Sequence, residues 1–349
     1  MVVPLDDDMR IVIPVYDFLK FLRQTGKTFN TLKSYTSDLS IYWEFLNEIG
    51  YKYDEVTTSV LADFIDYLRR GGQDILALNM ESVRVGKTIN RILGTLRRFY
   101  VYHATILEMD KPILTKTVNR PFSMYKSFLE HAKSDNNTKQ SIFKVKESGY
   151  RVRLVNDHEM EVTLNALTKK RDYLLYKTLY LTGARIQEVL DLEIETVPIP
   201  DSTKYVGVFK NIKSKGKYRD LYVPMPLIEE LDAFIFEERN LIETDHSYIF
   251  VSEQPQWYGK QLTYRAAYDK LKDVQEKIGI SFNFHDLRHT LCSALVERMD
   301  ISIVQIIMGH ESISTTQLYT HLSNKFIEDS LVQYWNKSSL VGVIDIDQK

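Results

Sequence analysis

Apolar residues recur every three or four positions through the first third of the chain, the spacing of helices that bury one face. Leu32, Tyr35, Leu39, Tyr42, Leu46 and Ile49 form one such stripe, with Asn30 placed as its N-cap and Gly50 as its stop. Ile13 to Gly26 precedes it as a shorter amphipathic stretch. Val60, Leu61, Phe64, Ile65 and Leu68 repeat the pattern before Gly71-Gly72, and Val85, Ile89, Ile92, Leu96 and Phe99 repeat it again. Met124 to Lys133 reads as a fifth helix, so residues 11–133 are expected to form a helical bundle.

The pattern then lapses. Residues 134–155, with Ser134-Asp135-Asn136-Asn137-Thr138 and little apolar periodicity, read as a linker. Asp157 is placed as the N-cap that opens a second, mostly helical domain over 156–335. Inside it, the β-rich runs Lys204–Ile212 and Tyr218–Val223 flank a Lys-Ser-Lys-Gly-Lys turn and predict a small antiparallel sheet. Tyr248 to Ser252 is strand-like, and Ser323 to Tyr334 reads as helix. Within the tail, 336–349, Leu340 to Ile346 reads as a short apolar strand. It either packs on its own domain or adds to a neighbour's sheet edge. The fold class is mainly α with an α+β second domain.

Composition changes this picture little. The 349 residues give room for two cores, and no apolar run approaches the roughly 18 residues of a membrane span. Residues 1–10 carry Asp6, Asp7 and Asp8 and no apolar signal core, and Cys292 is the only cysteine. Both point to a cytoplasmic protein. Net charge is −2, but it is unevenly spread. Met1 to Met80 holds 8 Lys and Arg against 12 Asp and Glu, whereas Glu81 to Lys133 holds 10 against 4. Any nucleic-acid contact should be local, with Lys87, Arg91, Arg97 and Arg98 opposite the apolar face of Ile89, Ile92, Leu96 and Phe99.

Five segments of the second domain carry the candidate chemistry: Thr182-Gly183-Ala184-Arg185 with Glu188, Lys213-Ser214-Lys215-Gly216-Lys217-Tyr218-Arg219, His285-Asp286-Leu287-Arg288-His289, Gly309-His310, and Tyr319-Thr320-His321. Each alone has an ordinary reading. Arg185 and Glu188 are spaced for a surface ion pair, the basic turn for a solvated hairpin, and Tyr319 is one of 22 tyrosines. His285 and His289 are spaced as half a metal site, but no Glu follows His285 and the single cysteine leaves few soft ligands. Together they differ. Two arginines, two histidines, a lysine and a tyrosine, without an acidic cluster, describe phosphoryl transfer that needs no metal. Guanidinium forks bind non-bridging phosphate oxygens bidentately and stay charged.

In order and spacing, these boxes resemble those of the tyrosine recombinases, the phage-integrase-type enzymes, over about Asp157 to Leu331. The first domain resembles that family's core-binding domain, with Asn30–Leu46 and Lys87–His103 similar to its DNA-facing helices. The resemblance implies that Arg185 and Arg288 clamp the scissile phosphate and that His310 donates a hydrogen bond to it. His285 would assist proton transfer at Tyr319, the nucleophile, and Lys215 would protonate the leaving 5′-oxygen. Lys213 and Lys217 are rivals for that last role, but Lys215 alone stands immediately before the glycine of the turn. Glu188 and Asp286 are expected to orient their neighbours. Lys33, Lys87, Arg91, Arg97, Arg98, Lys213, Lys217 and Arg219 are the DNA-contact candidates. No separate arm-binding domain is expected ahead of residue 11, unlike in the larger phage integrases.

The implied reaction is cleavage and rejoining of double-stranded DNA through a 3′-phosphotyrosyl bond, by four protomers on two sites, with neither metal nor other cofactor. Integration, excision or transposition of a mobile element is the expected use, with accessory DNA-bending or transposon-encoded proteins as further partners and no membrane association. The rivals are a recombinase resolving chromosome or plasmid dimers, a type IB topoisomerase, and a non-catalytic regulator on a degenerate scaffold.

Overall fold

The computed structural model describes residues 4–5, 9–70, 86–106, 115–119, 137–146, 153–214, 216–309 and 331–336. The chain divides into two compact units, Met1–Tyr150 and Arg151–Lys349. Both are mainly helical, as the periodicity predicts.

The first unit holds four helices, α1 (Ile13–Gln24), α2 (Phe29–Ile49), α3 (Thr58–Arg70) and α4 (Gly86–Ile106). Their apolar stripes meet in one core that includes Leu39, Tyr42, Phe64, Ile92, Leu96 and Phe99. Burial of each such side chain contributes about 1.5–3 kcal/mol relative to exposure. Helix α2 starts two residues earlier than Asn30 suggests. Thr28 is its N-cap, accepting from the Thr31 N–H, while Asn30 lies within the first turn. Gly50 ends it in the left-handed conformation, at φ 69°. Two buried polar contacts join α2 to α4: the Tyr42 and Tyr100 hydroxyls lie 2.6 Å apart, and Thr95 donates to Asp38 at 2.7 Å.

The expected linker is partly structured. Strand β2 (Asn137–Ser141) pairs antiparallel with β1 (Thr115–Asn119), a ladder that the polar sequence there does not announce. The Asn90 side chain then donates to the Val145 carbonyl and accepts from its N–H, both at 2.9 Å. That clamp anchors the segment to α4. The expected fifth helix at Met124–Lys133 lies outside the described residues.

In the second unit, α5 (Asp157–Asn165) starts at Asp157, but its cap is Asn156, in a reciprocal box with Glu159. Asp157 instead accepts a 2.6 Å bond from the Tyr180 hydroxyl. Helix α6 (Lys170–Thr182) runs through the core, buried from Leu174 onward. It packs against α10 (Phe284–Val296) and receives a 3.0 Å bond at the Leu181 carbonyl from the fully buried Trp335 indole. Between α6 and α10 lie α7 (Ile186–Leu190), the hairpin β3 (Val206–Ser214) and β4 (Lys217–Pro224), α8 (Met225–Glu237) and α9 (Tyr264–Ile278). Helix α11 (Ile301–Met308) follows α10.

Strands β3 and β4 form the expected antiparallel sheet, but the ladder extends into the basic segment. Ser214 pairs with Lys217, and Gly216 lies just before Lys217 at φ 83°. Tyr248–Ser252 makes only isolated bridges, Glu193 to Tyr248 and Val251 to Gln261, rather than a strand. The tail strand expected at Leu340–Ile346 lies outside the described residues.

Candidate functional site

Two chain reversals bring the arginine boxes together. Helix α6 ends at Gly183, at φ 58°, and the chain turns straight into α7, with Arg185 as its N-cap. Asn283 caps α10 by accepting from the N–H groups of His285 and Asp286, and Asp286 returns a bond to the Asn283 N–H. This reciprocal cap fixes the start of the helix that carries His285 and Arg288. His285 is exposed, and Arg288 is buried at 3% exposure.

Three guanidinium groups from three elements converge on the C-terminus of α11. Arg219, on β4, donates to the Ile307 carbonyl at 2.6 Å. Arg288, on α10, donates to Met308, and Arg185 reaches Gly309 at 3.5 Å. These carbonyls are the ones a helix end leaves without intrahelical donors, and they carry the negative end of the helix dipole. Gly309 closes the helix at φ 62°, against the Arg219 side chain: a Cβ there would lie 2.5 Å from Arg219 Cδ. His310 and Tyr319 follow outside the described residues, as does Lys215.

One carboxylate serves two of these arginines. Glu188, 3% exposed, accepts from Arg219 Nη2 at 2.6 Å, from Arg185 Nη1 at 2.8 Å and from the Arg185 N–H at 2.9 Å. Burial pushes its pKa upward, but the bond and charge of Arg219, the Ser214 hydroxyl and the Arg185 N–H outweigh it and hold the carboxyl at about 2. Arg288 is held down to about 10 by burial first, then by the charges of Arg185 and Arg219, with Glu188 opposing. Three cations around one anion leave an excess of positive charge, an environment suited to a phosphate.

His285 titrates below its ordinary range. Desolvation, His289, Arg288 and Arg185 lower it against the pull of Asp286. Near neutrality the neutral ring is favoured, the form that can accept a proton. His285 and His289 pack edge to face at 4.4 Å, and among the described residues no third metal-binding group joins them.

The DNA-contact candidates divide. Lys213 and Lys217 are exposed on the hairpin. Arg219 is not: its side chain is 8% exposed and engaged with Glu188 and Ile307. Its position on the strand turns it inward, against the sequence expectation that it meets DNA. In the first unit Lys33, Lys87 and Arg98 are exposed and Arg97 is half-buried. Arg98 caps the Gly94 carbonyl and lies 5.9 Å over the Tyr35 ring. Arg91 is half exposed and is the counter-charge of Asp38, at 2.6 Å, while donating to Ser34 at 2.9 Å. Sequence reasoning missed Asp38, whose burial follows from its place on the inner face of α2, between Tyr35 and Tyr42. Among the described residues no helix is long and apolar enough to cross a membrane.

Comparison with known proteins bears on both units. The profile described as "Phage integrase family" matches residues 154–325, and "Phage integrase, N-terminal SAM-like domain" matches residues 15–105. Transposase A from transposon Tn554 of Staphylococcus aureus is 28% identical over 340 residues, covering 95% of this chain and 93% of that protein. Tyrosine recombinase XerA of Pyrococcus furiosus is 26% identical over 93% of this chain and 95% of its own length. The fold is that of a lambda integrase dimer bound to a COC' core site, at a TM-score of 0.57 and 14% identity, covering 86% of this chain and 94% of that one.

Proposed function

Because the chain belongs to the phage-integrase family of tyrosine recombinases, it is a site-specific DNA recombinase, and we propose that Tyr319 is the nucleophile that joins it to a DNA 3′-phosphate. The observation that carries this reading is the convergence of Arg185 and Arg288 on the end of α11, from which the chain runs on to His310 and Tyr319.

The Tyr319 phenol oxygen attacks the scissile phosphorus and passes its proton toward His285. Arg185, Arg288 and His310 hold the non-bridging oxygens, where charge accumulates in the transition state. The bond to the 5′-oxygen breaks as Lys215 supplies a proton, giving a 3′-phosphotyrosyl link and a 5′-hydroxyl. A 5′-hydroxyl from the partner duplex then attacks that link and releases the tyrosine. The phosphodiester is replaced by another phosphoester at each step, so the balance needs no ATP.

Lys33, Lys87, Arg97 and Arg98 of the first unit, with Lys213 and Lys217 of the hairpin, are assigned to the DNA backbone. The substrate we assign is the pair of ends of a mobile element. Similarity to the Tn554 transposase over nearly the whole of both chains supports it, and the similarity to XerA supports dimer resolution as the second reading. Four protomers on two sites is the assembly we assign, with the tail at 336–349 as a link between protomers.

The test is Tyr319→Phe on a nicked substrate that traps the covalent complex. Site-specific binding should persist while the denaturation-resistant adduct disappears. An adduct that survives in the Phe variant overturns the assignment, and sequencing the trapped end in the wild type identifies the DNA site.

A further inference from the structure

Arg219 lies apart from every step just described, yet it bonds both the shared carboxylate and the end of α11. Nη2 donates to Glu188 at 2.6 Å and Nη1 to the Ile307 carbonyl at 2.6 Å, so one side chain ties β4 to both α7 and α11. Its Nε is buried with no partner among the described residues. Through Glu188 the tie reaches Arg185, whose backbone and guanidinium both bond the same carboxylate. Through Ile307 and the tight contact with Gly309 it fixes the point where the chain leaves α11.

We propose that Arg219 is a positioning residue for strand cleavage: it does not touch DNA, and it sets Arg185 and the end of α11 in mutual register. This rests on the recombinase reading above. A phosphate held by two forks tolerates little misplacement, and a shift of about 1 Å in a catalytic group lowers rates by about 10²-fold. Arg219 is the only one of the three arginines bonded to both Glu188 and the α11 terminus without a direct role for the phosphate. A lysine could keep the ion pair but could not span both acceptors.

The groups facing Glu188 set a second signature. They are Arg185 and Arg219, with the Ser214 hydroxyl, and Arg288 stands behind them. Without Arg219, burial would raise the Glu188 pKa. The carboxyl would then protonate as pH falls and release Arg185, so cleavage would lose rate on the acid side beyond the loss that protonation of His285 gives the wild type.

The experiment compares full-length wild type, Arg219→Met, Arg219→Lys and the double variant Arg219→Met with Glu188→Gln. Affinity for the recombination site and its salt dependence are measured alongside single-turnover adduct formation at saturating DNA, from about pH 5 to pH 9. Arg219→Met should bind within about twofold of wild type with an unchanged salt slope, and cleave about 10²-fold more slowly. Its rate should fall further on the acid side, and the Gln substitution should remove that dependence. Arg219→Lys should lose about tenfold in rate with the acid-side dependence of the wild type, and it carries the test if the Met variant does not fold.

A salt slope reduced by about one unit would make Arg219 a phosphate contact and overturn the proposal. Wild-type cleavage by the Lys variant at saturating DNA would overturn it as well. Tyr319→Phe is run in parallel: an adduct there defeats the recombinase assignment itself, whatever the Arg219 variants do.

Discussion

Arg288 Nη1 donates to the Gly183 carbonyl at 2.8 Å, a bond across 105 positions of sequence that locks the start of α10 to the end of α6. The two arginine boxes are one structural unit, because the turn that delivers Arg185 is also an acceptor for Arg288. Gly183 permits this doubly. Its φ of 58° suits glycine, and a Cβ there would meet Leu291 Cδ2 at 2.8 Å and Met308 Cε at 3.0 Å.

Gly183→Ala should destabilise the protein by about 2–4 kcal/mol, from backbone strain and overpacking together. Urea unfolding of the full chain measures it. Cleavage should fall more than DNA affinity, because Arg185 and Arg288 are displaced while the exposed cations remain. A variant as stable as the wild type would mean that the turn relaxes without cost.

How far this was legible in the sequence depends on the range of the interaction. The stripe Ile89, Ile92, Leu96 and Phe99 gave away α4 because its apolar face repeats locally, and those four residues are buried. Helix starts were legible only to within two residues. Asn30 and Asp157 are good caps by type, but Thr28 and Asn156 have side-chain oxygens aimed at the first-turn N–H groups. The β1–β2 ladder was invisible because its strands are polar and hold no alternation. In the site, residue types and order singled out Arg185 and Arg288, which the fold brings to the same end of α11. Nothing local could tell that Arg219 points inward while Lys213 and Lys217 point out, because that depends on the register of β4 against β3 and on Glu188, 31 positions away. Asp38 likewise needs its partners on α4 to be understood.

Replacing Arg185 or Arg288 by lysine should each lower cleavage by about 10²-fold or more, with DNA affinity little changed. An ammonium cannot bond Glu188, Ser214 and a phosphate in one plane as Arg185 can, nor reach both Gly183 and Met308 as Arg288 does. Wild-type cleavage should continue in excess EDTA, since guanidinium groups supply the charge that a divalent ion gives elsewhere. Rates of adduct formation on a trapping substrate decide both points. Near-normal rates for both lysine variants would reduce these arginines to structural ion pairs.

In the first unit, Arg91 should behave differently from Lys87 and Arg98. Arg91 is the counter-charge of Asp38, which burial pushes toward a higher pKa against the Thr95 and Arg91 contacts. Arg91→Ala should lower stability by about 1–3 kcal/mol, less than for a fully buried pair because Arg91 is half exposed. Adding Asp38→Asn should recover much of that loss. Lys87→Glu with Arg98→Glu should leave stability nearly unchanged but weaken DNA binding and reduce the salt slope by about two units. A stability loss in the Lys87 and Arg98 double variant, or an unchanged salt slope, would return that face to a solvated helix surface.

Lys215 can be separated from a simple phosphate contact by changing the leaving group. A general acid matters because a 5′-alkoxide is a poor leaving group, and a sulfur at that bridging position departs without a proton. Lys215→Ala should fall by about 10²-fold or more on ordinary DNA and recover most of its rate on the 5′-thio substrate. Arg185 and Arg288 variants should not recover, because the charge they stabilise sits on non-bridging oxygens that the sulfur leaves in place. Both rivals are ladder residues of the hairpin: Ser214 pairs with Lys217, and Lys213 pairs with Tyr218. Rescue of Lys213→Ala or Lys217→Ala on the thio substrate, with Lys215→Ala left inactive, would move the acid from the turn to a strand.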